Sequence, residues 1–253
     1  MKNFFCFLLI FFLISCSSKK DILYFNNSEE YAESQLDFQE HIISIDDILK
    51  ISITSDNALA TLDLDPKFAP VNSNSTIESL KLEGFIVDSN GEIFIPSIGG
   101  LKVVGITKVE LRNLIINKII DGNLLMNPNV DVKILNLHFT ILGEVNRPGR
   151  YEYINNNISI LEAIGMAGDL TITGKRNDVI IVRNDNGFKK VHSIDLTDIS
   201  TLSSNFFQII SGDVIIVNPN STRVKNAGII GNSGTLLSLL SFILSSIIVI
   251  TNR

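Results

Sequence analysis

The stretch Gly84 to Val132, GFIVDSNGEIFIPSIGGLKVVGITKVELRNLIINKIIDGNLLMNPNVDV, constrains the fold more than any other part of the chain. Phe85, Val87, Ile93 and Ile95 recur at period two around Asp88-Ser89-Asn90-Gly91, and Asn-Gly suits a tight turn because its positive-φ positions cost little there. The spacing predicts two strands joined by that turn. Pro96 and Gly99-Gly100 break the second strand, and Leu101 to Val104 reads as a third. Thr107 is the expected N-cap of an amphipathic helix with Glu110 at the capping-box position, burying Val109, Leu111, Leu114, Ile115 and Ile119. A strand through Val132 follows.

The ends differ from this middle. Apolar residues make up 45% of the 253-residue chain, and the excess is concentrated at the termini. Residues 1–15 read as a secretory signal peptide: one Lys, an unbroken apolar run from Phe4 to Ile14, then small residues, too short for an ordinary membrane span. Leu13-Ile14-Ser15-Cys16 resembles the bacterial lipobox, which implies acylation at Cys16. Cys6 leaves with the signal, so the mature chain keeps one cysteine and no internal disulfide is expected. Residues 16–40 are polar and weakly periodic, the expected tether of a lipid-anchored domain.

His41 to Ile53 reads as two β-like runs around Asp46-Asp47, and residues 55–80 as a long surface loop. Val130 to Leu137 predicts a strand leading into 138–145, and Asn146-Arg147-Pro148-Gly149 a turn that opens a second unit. There, Tyr151 and Tyr153 mark a strand. Ser159 to Ala167 marks a short helix closed by Gly168. Val179–Arg183 and Phe188–Ile194 mark a hairpin around 184–187, and Asp213–Val217 a last strand. That order suggests an α+β module of the β-grasp kind, with a helix across a small sheet. Ser44–Ile51 and Ile210–Val217 each set an Asp just before an apolar strand, which we read as one turn solution used twice.

Residues 229–250 carry no charge and no Pro and would run roughly 33 Å as a helix, a predicted membrane-spanning segment. Gly231, Gly234, Ser238, Ser241 and Ser245 fall on one stripe about 80° wide at 100° per residue. Two readings stay open: close packing between helices, or hydroxyls facing a wet lumen.

A net charge of −6 without a dense Lys/Arg run argues against nucleic-acid binding. His41, His138 and His192 are far apart and carry no metal-ligand spacing, Asp46-Asp47 and Asp88 sit at turns, and Gly99-Gly100 lacks the context of a phosphate loop. Lys175-Arg176 reads either as a solvated loop pair or as a contact to an acidic partner. No catalytic group, metal site or cofactor is expected.

Several of these residues together resemble the outer-membrane polysaccharide export lipoproteins (Wza-type). Gly84 to Gly99, Val104 to Thr107 and Asn127 to Val132 resemble the family's export motif. Ile141 to Gly149, Ile160 to Ile164, Ala167-Gly168 and Ser211 to Val217 resemble its SLBB β-grasp domain. The resemblance implies an α+β chain with a mixed-sheet export domain over 41–137, an SLBB domain over 138–220 and the C-terminal helix. It further implies an octamer-like homo-oligomeric ring that conducts polysaccharide across the outer membrane from the periplasm, supplied by an inner-membrane copolymerase with its tyrosine kinase. Asp46-Asp47 stands where the family usually has Gly-Asp, which leaves open how that turn is built. Only one β-grasp domain is visible, which implies a short periplasmic part.

Overall fold

The computed structural model describes residues 22–26, 40–55, 76–154, 157–185, 187–221 and 233–251. The expected signal peptide over 1–15, Cys16, most of the 16–40 tether and Gly231 lie outside the described residues.

The chain is a mixed α+β protein with several sheets. Strand β1 (Ile48–Thr54) is central in an antiparallel sheet of order β2-β1-β5, with β2 at Phe85–Ile86 and β5 at Asn129–Ile134. Helix α1 (Ile77–Glu83) precedes β2; its N-cap Thr76 accepts from the Ser79 N–H. The loop expected through residue 80 therefore ends earlier, in a helix of 7 residues too short to show a periodic apolar face.

The Asn90-Gly91 turn is present, with Gly91 at φ 76°, but it does not pair the strands beside it. Leu49 on β1 takes Phe85 as partner, while β3 (Glu92–Ile95) pairs with β4 (Gly99–Lys102). The tight hairpin lies one strand later, turning at 96–98, where the Ile98 N–H donates to the Ile95 carbonyl and Gly99 adopts φ 93°. The third strand accordingly begins at Gly99, not Leu101. Helix α2 (Lys108–Asp121) forms as expected: the Thr107 side chain accepts from the Glu110 N–H and the Glu110 carboxylate from the Thr107 N–H. Leu111, Ile115 and Ile119 are fully buried against β5, each contributing on the order of 1.5–3 kcal/mol, while Val109 and Leu114 are half-buried.

The strand expected over Val130 to Leu137 divides in two. After β5, Asn136 interrupts it: its Oδ1 accepts from the Ile48 N–H and its Nδ2 donates to the Asp46 carbonyl. Leu137 then starts β6 (Leu137–Gly143), a strand of the other main sheet. That sheet has the order β10-β9-β12-β6-β7, with β7 at Gly149–Tyr153, β9 at Gly174–Asp185, β10 at Phe188–Ile194 and β12 at Val214–Pro219. β12 runs parallel to β6 and antiparallel to β9. Short strands β8 (Ile158–Ser159) and β11 (Gln208–Ile209) pair beside it, and helix α3 (Ile160–Met166), capped by Ser159 and Glu162, packs against β6, β8 and β11. Both sheets feed one apolar core, in which Phe139 stacks on Tyr151 at 5.4 Å.

The C-terminal helix α4 is Ser233–Thr251, of 19 residues. Among the described residues no helix is long and apolar enough to cross a membrane; the span expected over 229–250 begins in residues outside the described ones. Five of the residues of α4 are serines.

Candidate functional site

The predicted stripe lies on α4, where Gly234, Ser238, Ser241 and Ser245 are all exposed. Two of its hydroxyls turn back onto the helix: Ser241 Oγ donates to the Ser238 carbonyl at 2.9 Å and Ser245 Oγ to the Phe242 carbonyl at 2.9 Å. Such back-bonding satisfies the hydroxyl donor without a solvent partner, so these serines can face lipid or a second helix. Leu237, Leu239, Phe242 and Ile243 are exposed as well. The helix is thus a largely apolar rod with a narrow groove of small side chains.

The sequence Gly143 to Gly149 holds the second unit together. Gly143 sits at φ 89°, and a Cβ there would lie 2.1 Å from the Val217 carbonyl oxygen, so only glycine lets β6 close against β12. Glu144 accepts from the Thr171 and Thr173 hydroxyls at 2.7 and 2.6 Å. Asn146 Nδ2 donates to the Gly168 carbonyl and Arg147 to that of Met166, which secures the end of α3.

The two Asp-before-strand turns share one construction. The Asp47 carboxylate accepts from the Ser44 N–H and its own N–H donates to the Ser44 carbonyl; Asp213 does the same with Ile210. The residue before each carboxylate has positive φ, 68° at Asp46 and 89° at Gly212. The turn left open by the Asp46-Asp47 departure is therefore built in the same way, with Asp46 accepting the left-handed conformation that a glycine adopts more readily.

The histidines are apart and locally engaged: His41 Nε2 lies 2.8 Å from Asp47, His138 Nδ1 3.1 Å from the Asn136 carbonyl, and His192 stacks on Phe206. No group of three or more His, Cys, Asp or Glu among the described residues could hold a metal ion.

The pair Lys175-Arg176 is not in a loop. β9 begins at Gly174, and Arg176 is buried, donating to the Thr171 and Gly174 carbonyls with its guanidinium 5.2 Å from the Tyr24 ring centroid. Lys175 lies 3.5 Å from Asp178.

Sequence reasoning missed Arg183. Its guanidinium grips Asp213 bidentately at 2.9 and 2.7 Å, donates to the Gln208 carbonyl and lies over Phe206. The signal was present: Val179, Ile181 and Arg183 share one face of β9, and Asp213, Ile215 and Val217 one face of the adjoining strand. Burial pushes the nearby Tyr153 phenol well above its usual value, and the Asp213 charge adds to this. At the other end, Asp88 accepts from the Glu92 and Asn90 N–H groups, which holds its carboxyl below the usual range.

Where α2 meets β5, Ile120, Asn123, Leu124, Leu125, Met126 and Asn127 line an open depression of about 520 Å³.

Comparison with known proteins groups these features. Residues 37–135 match the polysaccharide biosynthesis/export protein family, and residues 137–217 match the SLBB domain. The EPS I polysaccharide export outer membrane protein EpsA of Ralstonia solanacearum is 30% identical over 102 residues, 39% of this chain and 26% of that protein. The polysialic acid transport protein KpsD of Escherichia coli is 25% identical over 189 residues, 71% of this chain and 33% of that protein. The chain thus spans a third or less of the length of these relatives.

Proposed function

The chain joins a polysaccharide biosynthesis/export domain to an SLBB domain, and on that premise we propose that it is a component of an outer-membrane export apparatus for capsular or extracellular polysaccharide. The observation that carries this reading is the continuity of the two matched domains from 37 to 217, with relatives named for polysaccharide export and transport. Placing the first and last strands of the second unit, β6 and β12, parallel and side by side supports its reading as a β-grasp domain. In this role the protein does no covalent chemistry. It lines or supports a path along which polymer slides.

The protein would be anchored to the outer membrane by acyl chains on Cys16, with its domains in the periplasm, and would assemble into a homo-oligomeric ring that receives polymer from an inner-membrane copolymerase with its tyrosine kinase. The polar turn Asp88–Gly91 and the outer face of α2 are the surfaces we assign to neighbouring subunits. Deleting the gene is expected to abolish surface polysaccharide and retain polymer in the periplasm. Unchanged surface polysaccharide with no retained polymer sinks the proposal.

A second reading is an adaptor lipoprotein whose α4 docks on a separate β-barrel that supplies the pore. The serine hydroxyls of α4 that turn back onto its own carbonyls favour this reading. Cysteines at Ser238, Ser241 and Ser245 labelled by an aqueous reagent from outside the cell support a self-made pore, whereas protection of all three supports docking.

A further inference from the structure

The residues just after the proposed lipid anchor are fastened to the SLBB domain. Tyr24 reaches across 145 positions of sequence to donate its hydroxyl to Asp169 Oδ1 at 2.5 Å. Its ring packs on the guanidinium of Arg176, 5.2 Å from centroid to Cζ. The backbone closes the grip from the other side, with the Phe25 N–H donating to the Leu196 carbonyl at 3.2 Å and the Asn26 N–H to that of Thr197 at 2.7 Å. Phe25 turns with φ 52°, a conformation costly for an aromatic residue that a loosely held segment would not keep.

The socket is built for such a guest. Arg176 is 5% exposed and its Nε is buried without a hydrogen-bond partner among the described residues. The Tyr24 ring supplies that cation with a π face where hydrogen bonding is incomplete. Asp169 stands in the left-handed region at φ 74°, beyond the end of α3, and directs its carboxylate outward to the phenol. Burial and the Asp169 hydrogen bond push the Tyr24 phenol well above its usual value, as expected of a hydroxyl held in its donor form.

We propose that residues 22–26 form a strap docked through Tyr24 into the Asp169–Arg176 socket, which shortens the lipid leash and pins the SLBB domain to the membrane surface. Tyr24 is 8 residues beyond Cys16, a length of chain that can span at most about 28 Å. An undocked tether over 16–40 would reach roughly 80 Å and leave the height of the protein unset. The strap therefore holds the SLBB domain close to the bilayer. This inference rests on Cys16 being the acylated residue, whereas the docking itself does not.

Hydrogen exchange on the full chain in detergent tests the docking. The Phe25 and Asn26 amides are expected to be protected, to exchange about tenfold faster or more in Tyr24→Ala, and to fall between the two in Tyr24→Phe, which keeps the ring on Arg176 but loses the hydroxyl. Free-chain exchange in the unaltered protein, or no acceleration in Tyr24→Ala, overturns it. Pinning is read on phosphatidylethanolamine–phosphatidylglycerol vesicles carrying a headgroup energy acceptor, with a donor dye on Ser200→Cys. Transfer is expected to drop at least twofold when Tyr24→Ala is added. Transfer unmoved by Tyr24→Ala overturns the pinning. Intact mass separately reports acylation, and an unmodified Cys16 overturns the anchoring reading while leaving the exchange result to decide the strap.

Discussion

The turns entering β1 and β12 have the same backbone and different guests. At each, an aspartate ties down the N–H three residues before it and releases a buried strand. At Asp213 the carboxylate is 1% exposed and is met by a bidentate arginine that is itself bonded to the Gln208 carbonyl. At Asp47 it is 11% exposed and is met by one imidazole nitrogen of His41. Identical local sequence logic thus yields a tertiary clasp in one domain and a local fastening in the other. The difference follows from burial: a carboxylate removed from water needs a fully compensating, permanently charged partner, while one that keeps some solvent does not.

Arg183→Met is the most severe way to break this comparison. It leaves Asp213 buried without its cation, and a loss of about 3–5 kcal/mol in urea denaturation is expected. Replacing both residues with apolar side chains should restore most of that loss, because the penalty comes from the orphaned charge rather than from the absent attraction. A single-variant cost under about 1 kcal/mol would mean that solvent reaches Asp213, and the contrast with Asp47 would collapse.

His41→Ala tests the other turn. The Ser44 N–H still satisfies part of the Asp47 carboxylate, and water replaces the imidazole at a site already partly wet. The expected cost is about 1 kcal/mol, read from the same denaturation experiment. A loss comparable to that of Arg183→Met would show that the two turns differ in geometry only.

These turns also show how much of the molecule could be read in advance. Features closed within a few residues were legible: the capping box at Thr107, the short helix after Ser159, the Asn90-Gly91 turn, and the repeated Asp-before-strand pattern. Choice of partner was not. Phe85 and Ile93 flank a good turn, yet they join different sheets, Phe85 pairing with Leu49 of β1 and Ile93 with Leu101 of β4, and no local pattern encodes that choice. Arg176 read as a solvated loop residue or a contact to an acidic partner because β9 was expected to start at Val179; its guanidinium lies buried against Tyr24, whose role no periodicity announces. The stripe on α4 was legible as composition, but the back-bonding of its serines is set by rotamers. On the functional side, the export and SLBB motifs were readable because each fixes a scaffold feature, such as the Gly143 approach to Val217, rather than a reacting group.

Asp88 extends the comparison to a third turn and gives the smallest expected effect. Its carboxylate accepts from the Asn90 and Glu92 N–H groups, as Asp47 and Asp213 accept from theirs, but it is fully exposed and its ties run forward along the chain. Because its folded carboxyl titrates below its ordinary range, the charged form is the one the turn favours. Its contribution is therefore present at neutral pH and disappears as the pH falls through the depressed folded value. Asp88→Asn keeps an acceptor oxygen and loses the charge. Its urea midpoint should lie slightly below that of the unaltered protein at neutral pH, and the gap should narrow as the pH falls through the depressed folded value. A gap that persists undiminished in acid would mean that the shape of the turn, not the charge at Asp88, carries the stabilisation. Solvent exposure would then have removed the electrostatic share entirely, and the ordering of the three turns by burial would be complete.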